Sequence, residues 1–140
     1  MKCKLLFALS ILAYQFSTAQ IVNPKTALTN ATMSLDIYET DQSQVAELSK
    51  AKENIDFAAD HEATKDDPKV WKYKGKIYNR IIFDPVMKLK HTDAALVSIK
   101  AWKKGWDLDM QKLVSKGKPA SKMPSKMDYK QGFELVSRGL

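Results

Sequence analysis

Two histidines are the residues of this sequence that first suggest catalytic chemistry. His61 and Glu62 begin the pattern His-Glu-x-x-His, in which two histidines one helical turn apart bind zinc and the glutamate acts as a general base. The fifth position of the pattern holds Lys65, so the second ligand is missing, and His91 lies 30 residues beyond His61. Because zinc sites need three or four ligands, the sequence predicts no metal site.

Other patterns of this kind are equally incomplete. Ser115 and Lys118 have the Ser-x-x-Lys spacing of penicillin-recognising acyltransferases, but the companion motifs are absent and the pair lies in a lysine-rich stretch. Glu53, Asp56 and Asp60 share a helical face opposite the apolar one, which favours a solvated surface. The sequence contains no glycine-rich phosphate loop and no nucleophile–base pair. We therefore expect no catalytic residue and no cofactor, and a protein that is not an enzyme.

The N-terminus has the organisation of a secretory signal. Lys2 and Lys4 precede an apolar run from Leu5 to Tyr14, and Ser17-Thr18-Ala19 places small residues where a signal peptidase would cut. The pattern predicts a signal peptide over residues 1–19, export to the periplasm or extracellular space, and no membrane span after its removal. The only cysteine, Cys3, would leave with this segment, so the exported chain could form no disulfide.

Charge is divided unevenly along the 140 residues. Residues 20–67 carry 4 basic and 10 acidic side chains, whereas residues 68–140 carry 17 basic and 6 acidic ones. Such a split favours contact between the halves or between copies, or an acidic partner for the second half. A basic nucleic-acid binder is an alternative, but the predicted export and the few aromatic residues among the C-terminal lysines disfavour it. We expect no nucleic acid.

The strongest helical pattern runs from Pro68 to Ile82. Asp67 is suited to cap it, because its carboxylate can accept from the free amides of the first turn, and Pro68 loses no hydrogen bond at the first helical position. An apolar stripe follows at steps of four, three and four residues: Trp71, Gly75, Tyr78 and Ile82. A glycine inside a helix costs about 1 kcal/mol relative to alanine, so Gly75 predicts the close approach of a second helix.

This order resembles the first helix of a tetratricopeptide repeat, Trp-x-x-Leu-Gly-x-x-Tyr, with Lys74 in the leucine position. The second helix of such a repeat has a small residue, an aromatic residue four later and a small residue three after that. Ser98, Trp102 and Gly105 have this spacing. The gap between the two halves is longer than in the family, which predicts an inserted loop over residues 83–92.

The predicted fold class is all-α, a short α-solenoid of antiparallel helical hairpins. Residues 24–61 form the first hairpin, where Ala31, Leu35 and Tyr38 repeat the spacing of the later stripe, and residues 68–110 form the second. A basic linker follows over residues 111–127, and residues 128–140 begin a third repeat. Such arrays need about three repeats to bury their apolar faces. We therefore expect an open apolar edge, covered by self-association or by continuation of the array.

Together with the leader, the resemblance is to exported tetratricopeptide-repeat proteins of Bacteroidetes-type bacteria. It implies a non-catalytic protein–protein interaction or scaffold module of the periplasm or cell envelope, binding a peptide or protein partner. In that family the first helices line a concave groove, which here would be lined by Lys69, Lys72, Lys76, Asn79 and Arg80. Ammonium groups there could pair with an acidic peptide or an acidic glycan. A solvated face is the alternative for these residues, and an accessory domain of a longer envelope enzyme is the alternative for the protein.

Overall fold

A computed structural model of the chain describes residues 23–118 and 126–139. All regular secondary structure in these residues is helical, which confirms the predicted all-α class. The helices are α1 (Pro24–Thr40), α2 (Val45–Asp60), α3 (Pro68–Phe83), α4 (Met87–Lys90), α5 (Ala94–Ser115) and α6 (Lys126–Gly139). The predicted signal peptide and residues 119–125 of the predicted linker lie outside the described residues.

The starts of α1 and α3 follow the same local rule. Asn23 accepts a hydrogen bond from the backbone N–H of Lys25 at 2.9 Å, and Asp67 accepts one from Lys69 at 3.0 Å. A proline follows each of these caps at the first helical position, where no amide hydrogen is needed. These two caps are as the sequence predicts, and they fix where α1 and α3 begin.

The helices pack in sequence order. Helix α1 packs against α2, α2 against α3, and α3 against α5, while α6 contacts both α3 and α5. The apolar core runs along these contacts and consists mainly of the fully buried residues Ala31, Leu48, Ala51, Ile55, Val70, Ile77 and Ile81. Every large apolar side chain in this set falls on the stripe that its helix turns toward its neighbour. Helix α3 therefore occupies the middle of the molecule.

Trp102 of α5 is the contact that brings α3, α5 and α6 together. It is 2% exposed, and a methyl group built on Gly75 of α3 would lie 2.6 Å from its Cε2 atom. A methyl group on Gly132 of α6 would lie closer still to the same indole. The close approach predicted at Gly75 is thus confirmed, but the approaching group is an indole ring. Backbone approaches backbone instead at Gly105, whose Cβ would lie 3.4 Å from the amide nitrogen of Lys72.

Two segments differ from the predicted boundaries. The stretch expected as an inserted loop over residues 83–92 contains the short helix α4, and α5 continues to Ser115, well into the predicted linker. Asp84 accounts for the first difference: it is 2% exposed, and its Oδ1 accepts from the backbone amides of Val86 at 2.9 Å and Met87 at 2.7 Å. No helix within the described ranges combines the length and apolarity that crossing a membrane requires.

Candidate functional site

A groove runs along the face of α3 that is not covered by α2. It consists of two adjoining cavities that share Tyr73 and Lys76 as walls. The basic cavity, of about 440 Å³, is lined by Asp67, Pro68, Lys69, Lys72, Tyr73, Lys76, Asp109 and Lys112. The central cavity, of about 290 Å³, is lined by Leu35, Asp36, Glu39, Tyr73, Lys76, Asn79, Arg80, Trp102, Gln131, Gly132 and Leu135. Helix α3 supplies the largest share of these residues, α1 and α6 line only the central cavity, and α5 contributes to both cavities.

Tyr73 organises the cations of the basic cavity. The Nζ atoms of Lys69 and Lys76 lie 6.0 Å and 5.3 Å from the centre of its ring. Cation–π attraction at such distances holds the two ammonium groups near the ring. Neither lysine has a carboxylate within ion-pair distance among the side chains that the structure describes. Two positive charges are therefore held beside an aromatic surface without a described counter-ion.

The two carboxylates of the basic cavity are already engaged. Asp67 caps α3 and lies 3.8 Å from Nζ of Lys112. Asp109 accepts a hydrogen bond of 2.5 Å from the hydroxyl of Tyr129 in α6. The cavity therefore carries more positive than negative charge, and its negative groups have structural partners.

Lys69, Lys72 and Lys76 line the basic cavity, whereas Arg80 lies at the far end of the groove. Its Nε and Nη2 atoms are 2.7 Å and 2.6 Å from Oε1 of Glu39. This ion pair joins α3 to α1 across the rim of the central cavity. Both side chains are about two-fifths exposed, at 42% and 39%, so water screens the pair.

Asn79 differs from the expected binding role, because it is 3% exposed and belongs to the floor of the groove. Its Nδ2 donates to the carbonyl oxygen of Gly132 at 3.2 Å, and its Oδ1 accepts from the hydroxyl of Ser98 at 2.5 Å. The hydroxyl of Ser98 has one hydrogen, so its 3.1 Å approach to the carbonyl of Gly75 is a secondary contact. Asn79 thus ties α3 to α5 and α6 and stabilises the groove from below.

The base of the central cavity combines the apolar side chains of Leu35 and Trp102 with Asn79. Leu35 and Trp102 are each 2% exposed, and Leu135 lies partly buried on the α6 side. The indole Nε1 of Trp102 is buried without an acceptor among the described residues. Because Gly132 brings α6 directly onto this ring, the base of the cavity is closely packed.

A second charged centre lies between α2 and α3, and the sequence did not predict it. Asp56, expected on a solvated face, is only 26% exposed and lies 2.9 Å from the Nζ atoms of both Lys52 and Lys74. It also accepts from the hydroxyl of Tyr78 at 2.8 Å. Burial opposes ionisation of Asp56, but the hydrogen bonds from these three partners outweigh it and hold its pKa below the ordinary value. Burial, followed by the charge of Asp56, raises the pKa of Tyr78.

A second carboxylate held inside the fold, Asp84, links the end of α3 to α1. Its Oδ2 accepts a 2.8 Å hydrogen bond from the hydroxyl of Tyr38. Burial and this hydrogen bond raise the pKa of Tyr38 to about 12. Although burial also disfavours the charged form of Asp84, the amide of Met87 and the Tyr38 hydroxyl donate to it and lower its pKa. Both buried carboxylates are thus ionised structural groups.

His61, His91 and Ser115, whose sequence patterns suggest catalysis or metal binding, do not come together in one site. His61 is exposed and its Nδ1 accepts from the amide of Ala63, while His91 lies half-buried near Lys90. The hydroxyl of Ser115 donates to the backbone of Lys112. Among the described residues, no three His, Cys, Asp or Glu side chains come together as metal ligands. The groove is therefore the candidate functional site of the described residues.

Comparison with models of known protein families gives no match, and neither the curated proteins nor the solved structures contain a significant match to the chain.

Proposed function

We propose that this protein is a non-catalytic protein-interaction module that binds a peptide, or a segment of a protein partner, in the groove along α3. The observation that carries the proposal is the pair of ammonium groups of Lys69 and Lys76, held beside Tyr73 without a described counter-ion. Charged groups that face an open groove and have no partner there favour a ligand of opposite charge.

The floor of the groove supports the proposal because hydrogen bonds and close packing hold its residues in fixed positions. Asn79, Ser98 and Gly132 join three helices by hydrogen bonds, and the indole of Trp102 fills the space beneath them. A preformed surface loses little conformational freedom on binding, which leaves more of the interaction free energy for affinity. A solvated helix face would not need such a floor.

The packing order supports a finer architecture, a short α-solenoid of the tetratricopeptide-repeat type. In such an array the first helices of successive hairpins share one concave face. Helices α1, α3 and α6 occupy the positions of first helices in the chain, and all three line the central cavity, to which the second helix α5 adds only Trp102. With the predicted signal peptide, this arrangement favours a scaffold role in the periplasm or at the cell envelope.

Selection from a random-peptide library tests the proposed function. We expect the purified protein to enrich peptides that contain acidic residues. Binding of the enriched peptides should fall at least tenfold in the variant Lys69→Glu with Lys76→Glu. The matched control is Lys88→Glu with Lys100→Glu, since both lysines are exposed and neither lines the groove. Failure to enrich any sequence, or equal binding by both double variants, would contradict a peptide-binding groove.

A further inference from the structure

Large apolar side chains are exposed close together in the chain, from the end of α3 through α4 to the first turn of α5. They are Phe83, Val86, Leu89 and Leu96, which we name the α4 patch, and their exposed fractions range from 45% at Val86 to 76% at Leu89. The patch begins where α3 ends, whereas the basic cavity is lined by the start and middle of that helix. We propose that the α4 patch binds the surface of a lipid bilayer with anionic headgroups.

The fold holds the patch in place from behind. Met87 is 3% exposed and belongs to the core. The buried carboxylate of Asp84 accepts hydrogen bonds from the amides of Val86 and Met87 and from the hydroxyl of Tyr38. Leu89 follows Met87 by two residues, about 200° around the helix, so it is turned outward. The patch is therefore presented to the surroundings by a segment that is anchored in the core.

The charges around the patch are mainly positive. Within residues 83–100, all of which the structure describes, the exposed charged side chains are Lys88, Lys90, Lys100 and Asp93. Lys88 and Lys90 have no carboxylate within ion-pair distance among the described side chains. At an anionic bilayer, apolar side chains enter the boundary between headgroups and acyl chains, and each lysine near the surface strengthens binding about fivefold. The patch and its lysines offer both contributions.

The shape around α4 favours a bilayer over a peptide. Two depressions lie beside α4, one lined by Phe83 and the other by Lys90, but Val86, Leu89 and Leu96 line neither of them. A peptide strand or helix binds along a sheet edge or in a groove, and its anchoring side chains fill pockets. A bilayer interface needs no such pocket, because it accepts apolar side chains that project from the protein.

Vesicle flotation tests the proposal. Vesicles of phosphatidylcholine alone are compared with vesicles of equal parts phosphatidylcholine and phosphatidylglycerol. We expect at least tenfold stronger binding to the mixed vesicles, and weaker binding at high salt because salt screens the lysines. Leu89→Ser should weaken binding to the mixed vesicles at least tenfold, because it removes the most exposed apolar side chain of the patch. Lys88→Gln with Lys90→Gln should weaken it by a similar factor.

Each variant has a matched control. Val114→Ser is the control for Leu89→Ser, because Val114 is 73% exposed and lies near the end of α5 that is remote from the patch. Lys69→Gln with Lys76→Gln is the control for the lysine variant, because it removes the same charge from the groove. Neither control should change vesicle binding by more than about twofold. Circular dichroism checks that every variant keeps the helix content of the wild type.

A second measurement locates the contact without relying on affinity. The chain that begins at residue 20 keeps every described residue and lacks Cys3, the only cysteine. A cysteine introduced by Leu89→Cys or Val114→Cys is labelled with a dye whose emission depends on polarity. We expect mixed vesicles to shift the emission to the blue in Leu89→Cys and to leave it unchanged in Val114→Cys. Flotation is carried out with this chain and with the full chain, because the apolar run over residues 5–14 can itself enter a bilayer.

Several outcomes would overturn the proposal. Equal losses from Leu89→Ser and Val114→Ser, or equal blue shifts at both labelled positions, would remove the α4 patch as the contact. Equal binding to both kinds of vesicle would remove the role of anionic headgroups. Binding by the full chain alone would assign it to the N-terminal segment. Association of copies without vesicles, abolished by Leu89→Ser, would make the patch a protein contact. None of these outcomes affects the peptide-binding groove, which is tested separately.

Discussion

The two sides of α3 carry the same kinds of residue in different states. On the side facing α2, Lys74 and Tyr78 meet the carboxylate of Asp56, so cation, phenol and anion are all satisfied. On the groove side, Lys69 and Lys76 flank Tyr73 with no described carboxylate between them. Loss of any one partner from the first arrangement would leave partly buried groups uncompensated, which destabilises a fold. The second leaves positive charge without such a partner, which is the property expected of a binding surface.

Acidification provides the broadest test of this difference. The pKa values of Asp56 and Asp84 are both lowered from the ordinary value of 3.8, so the folded state holds fewer protons than the unfolded chain in mildly acidic solution. Their stabilisation is complete above pH 3.8 and is lost as the pH falls through the folded-state pKa values. We expect the free energy of unfolding, measured by urea denaturation, to fall steeply below about pH 4.

Replacing one of these carboxylates shows how much of the stability lost at acid pH depends on it. Asp84→Asn should flatten the acid part of the stability profile, because the substituted side chain no longer titrates. Lys69→Gln with Lys76→Gln should leave that part of the profile unchanged. An acid profile that is the same in wild type and Asp84→Asn would show that other groups cause the acid sensitivity.

Asp56→Ala should have the largest effect of any single substitution on the paired side of α3. It leaves Lys52, Lys74 and the hydroxyl of Tyr78 without their common acceptor. Losing one partner of a buried ion pair costs about 3–5 kcal/mol, and partial exposure of Asp56 reduces this to about 2 kcal/mol. Urea denaturation at pH 7 measures it, and Glu53→Ala on the exposed face of the same helix is the control. Equal effects of the two substitutions would contradict the structural role of Asp56.

Gly75→Ala tests the support beneath the groove. Alanine should improve helix stability by about 1 kcal/mol, but its methyl group would lie 2.6 Å from the indole of Trp102. Overpacking of a closely packed core costs about 1–3 kcal/mol, so we expect a net loss of about 1 kcal/mol. Gly105→Ala is the comparison, since its nearest contact is 3.3 Å, and it should be less destabilising. A gain in thermal stability for Gly75→Ala would show that Trp102 can move away freely.

The sequence predicted those features that depend on neighbours along the chain. The caps Asn23 and Asp67 and the apolar stripe of α3 are local, because each rests on residues within a few turns. Gly75 also indicated a close contact, since a glycine in a strong helix needs a steric reason. The periodicity of 3.6 residues was thus enough for the all-α class.

Features that depend on distant partners were not predictable in the same way. The hydrogen bonds from Tyr78 to Asp56, Tyr38 to Asp84 and Asn79 to Gly132 span 22, 46 and 53 residues of sequence. Helical spacing shows which face a residue occupies but not which helix covers that face. For this reason Asp56 was expected on a solvated face, and Asn79 was expected as a ligand-binding residue instead of a buried support.

The substitution with the smallest expected effect on the free energy of unfolding gives the most information about the groove side of α3. Lys69→Gln with Lys76→Gln removes two exposed charges that have no described carboxylate partner, so the free energy of unfolding should change by less than about 0.5 kcal/mol. At low salt the change should be toward higher stability, because the second half of the chain loses repulsion between like charges. Urea denaturation at two salt concentrations measures both the size of this change and its dependence on salt. The control is Lys88→Gln with Lys100→Gln. A loss as large as that of Asp56→Ala would mean that these lysines stabilise the fold, and the two sides of α3 would then be alike.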